Sequence, residues 1–170
     1  MKKQLLMIAI VCSWAADAGA ATWYGITAAI TDREMYFFDM DTVLVRSSSV
    51  TIYIKSVNDQ SSPDSEGSYA RAEKTTYECS DKTFQVHSLS TYDKTGNLIK
   101  TATSTARAEH LNSGTVGEAI LRTVCMPGFP KVGVGILYYR AIKNDVFAHA
   151  AWYFERERKR ALTPDPAPKW

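Results

Sequence analysis

Cysteine and histidine carry most covalent, metal and proton-transfer chemistry, and this chain of 170 residues holds three of each. His87 falls in a strand pattern, His110 just ahead of a helix, and His149 in a C-terminal extension. His110 beside Glu109 is the pair whose chemistry could polarise a water or hold a metal. The ordinary role of such a loop histidine is a solvated one. Metal binding needs three or four convergent ligands, and no Cys/His spacing here supplies them. There is no Cys-x-x-Cys, no Gly-x-Ser-x-Gly elbow and no phosphate-cradling loop. The residues therefore point to no catalytic site, no metal centre and no cofactor, and they leave the binding residues unspecified.

The remaining chemistry belongs to the cysteines, and the N-terminus sets its terms. Lys2 and Lys3, the uncharged run 5–16 and Ala18-Gly19-Ala20 form the layout of a secretory signal peptide over residues 1–21. We expect cleavage near Ala20 or Ala21. The apolar run falls short of the roughly 20 residues that cross a bilayer. Val11 stands where a lipoprotein signal needs a small residue before its cysteine, so Cys12 is expected to leave with the leader, without a lipid. Two cysteines then remain, and an even count in an exported chain reads as one structural disulfide, Cys79 to Cys125.

The expected location is the periplasm, the outer-membrane surface or the medium, with no transmembrane anchor in the mature chain. Formal charge is +2, and losing Lys2, Lys3 and Asp17 leaves +1. That charge gathers no polyanions, which sets nucleic acid aside as a partner. About 150 mature residues suit one domain with a real core.

Alternating apolar positions set out the strands that must position these groups. Residues 23–30 place Tyr24, Ile26, Ala28 and Ile30 on one face. Residues 35–38 are apolar on both faces and read as central, with a break at 39–42. Residues 43–57 form the clearest front-half strand, split into a hairpin near Ser47-Ser48-Ser49. Residues 58–68 (NDQSSPDSEGS) contain no apolar side chain and read as a mobile loop. Thr75, Tyr77 and Cys79 share a strand face. Phe84 and Val86 alternate, but Leu89 is out of phase: either a bulge lies near His87 and Ser88, or both faces are covered. The turn 94–97 suits a hairpin, and 98–103 returns as an edge strand.

Thr115 and Glu118 have capping-box spacing, and Val116, Ile120, Leu121 and Val124 then fall on one helix face. Pro127, Gly128 and Pro130 stop that helix. A strand at 132–139 and a helix at 145–161 follow, the latter with a stripe of Val146, Ala150, Tyr153 and Phe154. Its charge-dense end, 156–160, is read as solvated, with anchoring to an anionic surface as the sharper reading. The Pro-rich tail, 162–170, reads as disordered.

Tyr77-Glu78-Cys79, the run Leu89-Ser90-Thr91-Tyr92-Asp93, and Ser113-Gly114-Thr115-Val116-Gly117-Glu118-Ala119-Ile120 leading to Val124-Cys125 resemble the surface-adhesin protein E family. Trp23-Tyr24 and Met35-Tyr36-Phe37-Phe38-Asp39 fit its front half. The resemblance implies an α+β fold, an antiparallel sheet of about six strands with a C-terminal helix on its concave face, tied by one disulfide. It also implies surface exposure in Gram-negative bacteria and adhesion to host matrix proteins. The domain is then 22–126, and 127–161 is a helical extension beyond it. We expect a non-enzymatic surface or envelope protein that binds an extracellular-matrix or envelope protein. The alternative is a periplasmic small-ligand or inhibitor module using an apolar pocket between helix and sheet.

Overall fold

The computed structural model describes residues 22–29, 33–61, 63–130, 142–143 and 145–162. The expected signal peptide, the strand at 132–139 and the tail from 163 onward lie outside the described residues. Six main strands run in order: β1 (Thr22–Ala29), β2 (Glu34–Val45), β3 (Ser49–Asn58), β4 (Ala70–Glu78), β5 (Thr83–Tyr92) and β6 (Leu98–Thr103). Two short ones, β7 (Glu109–His110) and β8 (Ile142–Lys143), pair with β5 and β1. Every pairing is antiparallel, and the sheet order β6-β5-β4-β3-β2-β1-β8 is a meander in which each main strand lies beside its sequence neighbour. Two helices, α1 (Val116–Val124) and α2 (Val146–Leu162), complete an α+β fold.

Alternation along β3 divides the core between the two sheet faces. Val50, Ile52 and Ile54 join Phe38 and Tyr77 beneath Ile120, Leu121 and Val124 of α1. Met35, Phe37, Val57 and Ala70 form the second cluster, covered by Val146, Ala150, Tyr153 and Phe154 of α2. The start of β2 is therefore buried on both sides, as its unbroken apolar run requires. Burying each large side chain here stabilises by about 1.5–3 kcal/mol relative to exposure. Cys125, the residue that ends α1, is bonded to Cys79 just past β4. The stripe expected on the extension thus packs on its own sheet.

Several local expectations are corrected. The break at 39–42 is a bulge inside β2: the register shifts between Asp39 and Leu44, and pairing resumes through Val45. Asp39 turns inward and accepts the Asp41 N–H at 3.1 Å, which satisfies the extra residues locally. β1 likewise changes register between Gly25 and Thr27, so one unbroken alternation from Tyr24 onward does not hold. β4 begins at Ala70, five residues before the Thr75 that opens the expected strand face. The phase problem in β5 resolves as a bulge: Lys74 pairs Ser88 and Thr75 pairs Val86, leaving His87 over. Glu118 reaches back to the N–H of Gly114 at 2.7 Å, one residue beyond the capping box, while Thr115 accepts from Glu118 N–H at 3.2 Å. Leu162, read as tail, is the last residue of α2.

The loop 58–68 is not held by apolar burial, yet Asn58, Asp59 and Ser68 are buried. Asp59 accepts Arg33 at 2.6 Å and Arg158 of α2 at 2.7 Å. Asp64 accepts the N–H groups of Glu66 and Ser68. Charge-assisted bonds replace the missing hydrophobic contacts, and composition alone does not reveal them. Burial works to raise the Asp59 carboxyl, but the Ser61 N–H and the two guanidiniums outweigh it and hold it below the usual carboxylate range.

A depressed carboxylate contributes stability that is complete above its unfolded value, about 3.9, and is lost as pH falls through the folded one. Melting temperature is expected to drop on acidification below about pH 4. Asp59→Asn should melt lower at neutral pH and show a shallower acid limb in melts across that range. Asp64 and Asp93, shifted the same way, retain part of the slope.

Candidate functional site

The residues singled out for chemistry do not converge. Glu109 and His110 are both exposed on β7, and as strand neighbours their side chains leave opposite faces. His87, at the β5 bulge, bonds the Thr76 hydroxyl at 2.8 Å through Nε2. His149 lies on α2 against the edge of Phe37 and beside Trp152, where burial and the Arg156 charge push its imidazole down. Cys79 and Cys125 are consumed by their bond. Among the described residues there is no cluster of three or more His, Cys, Asp or Glu able to hold a metal. No described helix is long and apolar enough to cross a membrane.

Among the described residues, three concavities stand out. On the α1 face a cleft of about 220 Å³ opens beside the helix. Ile54, Tyr77, Phe84, Leu111, Val116 and Ile120 form its apolar walls, and Tyr36, Ser56, Arg71 and Glu73 its polar end. This cleft differs from the enclosed apolar pocket expected between helix and sheet under Val116, Ile120 and Leu121: it is open, one end is polar, and Leu121 packs in the core. Burial pushes the Glu73 carboxyl up, with the Arg71 charge opposing and Glu34 adding to the rise. Tyr77 beside it is pushed up too, by burial and then by Glu73. The Tyr36 hydroxyl donates to Glu34.

The second concavity, about 560 Å³, is an open groove on the part of the other face that is lined by β2–β5. Arg46 and Lys74 give it cations, His87 an imidazole, Glu78 an anion, and Tyr53 an aromatic wall with Lys74 5.8 Å from its centroid. The Thr51, Thr76 and His87 side chains form a bonded row along it. Leu44 stands at the rim, 48 % exposed. The third lies at the start of α2, where Lys55 is caged by Trp23, Tyr92 and Phe147 at 5.1, 4.3 and 5.5 Å. Burial lowers the Lys55 ammonium, and the rings compensate for its lost water.

Sequence reasoning missed Arg71, Glu73, Lys55 and Lys74. The signal was present: Ala70 and Ala72 alternate with Arg71 and Glu73 in phase with Thr75 and Tyr77. Small alanines hid it, because they carry little apolar weight. On α2 the charge-dense end proves largely committed. Arg156 pairs with Glu157, Arg158 with Asp59, and Lys159 with Glu155.

An antiparallel meander between two helices, with one helix bonded to the strand end beneath it, defines a small disulfide-tied α+β domain. Residues 23–126 match the family described as surface-adhesin protein E, and the chain belongs to that family. The match runs from β1 to the residue after Cys125, so α2 lies beyond it. No curated protein and no solved structure matches the chain.

Proposed function

We propose that this is an exported, non-enzymatic adhesin that binds an extracellular-matrix or envelope protein through the open groove on the α2 side of its sheet. Its adhesin E-like domain is 22–126, the segment 127–161 is an extension that covers part of one face, and a leader is removed near Ala20 or Ala21. The observation that carries this reading is the groove itself. It joins opposite charges, an aromatic wall and a hydroxyl row to the exposed Leu44 at one rim, a mixture that suits a protein surface.

The test is surface plasmon resonance of the mature protein over immobilised matrix proteins and solubilised envelope fractions. We expect saturable binding that a Leu44→Asp, Arg46→Glu variant weakens at least about tenfold, since rim contacts become repulsive and desolvated. Binding unchanged in that variant moves the contact elsewhere, and no binding at all overturns the proposal. The cleft beside α1 supports a second reading, a receptor for a small ligand.

A further inference from the structure

We propose that the cleft beside α1 receives a free α-amino acid with an apolar side chain, its carboxylate on Arg71 and its ammonium on Glu73. This deepens the second reading above and rests on it.

Arg71 and Glu73 are two residues apart on β4, so they share a face and stand roughly 6.6 Å apart along the strand. Both line the cleft. Their influence on one another is electrostatic, and neither side chain makes a hydrogen bond or close ion pair with a described residue. A guanidinium with five donors and a half-buried carboxylate thus meet at one cavity end, each with hydrogen-bonding capacity to offer. An α-amino acid carries the complementary pair of charges on two groups attached to one carbon, at a separation that bridges two such groups.

Single-charge ligands fit less well. A plain carboxylate meets Glu73 and, on the same face, Glu34; a plain cation meets Arg71. Asp64 also acts on Arg71 electrostatically, but from the loop before β4. The Ser56 side chain, directly across from Arg71 in the β3–β4 register, adds a hydroxyl to the polar end.

The other end selects the side chain. Its walls are aliphatic and aromatic, and the cleft encloses about 220 Å³. An apolar cavity of about 150 Å³ takes up benzene, so a leucine- or phenylalanine-sized group fills this one with room for the charged end. Burial raises the Glu73 carboxyl, and an arriving ammonium would favour its charged form.

The test is isothermal titration of the folded, oxidised protein with four probes: L-phenylalanine, its methyl ester, N-acetyl-L-phenylalanine and phenethyl alcohol. We expect L-phenylalanine to bind best, and loss of either charge to weaken binding roughly ten- to a hundredfold. Arg71→Met should abolish the preference for acid over ester, and Glu73→Gln the preference for free over acetylated amine. These readouts are ratios within one variant, so a change in stability alone does not mimic them, and melting curves verify that each variant is folded. If phenethyl alcohol binds as tightly as the amino acid, the cleft is a receptor but this inference is overturned. If no probe binds, the inference and the small-ligand reading both fall.

Discussion

A protein carrying Cys79→Ser and Cys125→Ser is expected to melt roughly 10 °C below the parent in a thermal scan followed by circular dichroism. The bond closes a separation of 46 residues, and opening such a loop releases about 4 kcal/mol of chain entropy to the unfolded state. That is a large share of the 5–15 kcal/mol by which domains are usually stable. The helix it secures has nine residues, too few to persist alone in water. Ile120, Leu121 and Val124 hold its apolar face, and Thr115 its first turn. Once Cys125 is released, those contacts alone keep it on the sheet. Reductant should reproduce the shift in the parent protein. A change of one or two degrees in either experiment would show that packing suffices and the bond is incidental.

Phe154→Ala should be of similar severity, lowering unfolding free energy by about 3–5 kcal/mol. Phe154 is 5 % exposed, in edge contact with Tyr153, within the cluster that contains Met35, Phe37 and Val57. The cavity opens on the side of the sheet that the family match leaves without a helix. Ending the chain at 144 goes further, since it uncovers that whole cluster and removes Arg158 from Asp59. Such a protein is expected to self-associate, seen as a shift to larger species in sedimentation velocity. A truncated protein that stays monomeric, with the parent's melting temperature, would refute the account of α2 as part of the core.

Legibility in the sequence followed apolar weight. Residues 43–57, the α1 stripe and the α2 stripe were readable because Val, Ile, Leu and Phe recur there at the period of their element. The disulfide followed from cysteine number and compartment. Features organised by polar groups escaped: Asp39 stitching a bulge, Asp59 clamping Arg33 to Arg158, and Arg71 with Glu73 at the cleft. The partners of Asp59 are distant in sequence (26 residues for Arg33, 99 for Arg158), and no periodicity announces a long-range ion pair. His110 and Glu109 attracted attention by adjacency, yet adjacency on a strand separates side chains. The candidate site therefore came from the register of β4 against β3 and β5, which tertiary structure alone supplies.

The meander has a consequence for how the molecule comes into being. A chain threaded head-first through a narrow passage can zip each new strand onto its predecessor, because no main strand waits for a partner far downstream. Closure is left to the rear of the chain: the thiol at 125, the β8 patch on β1, and the arginine at 158 arrive last. Until they do, the nascent sheet has two greasy sides bare, and that interval is when a chaperone or a thiol oxidase would find its substrate.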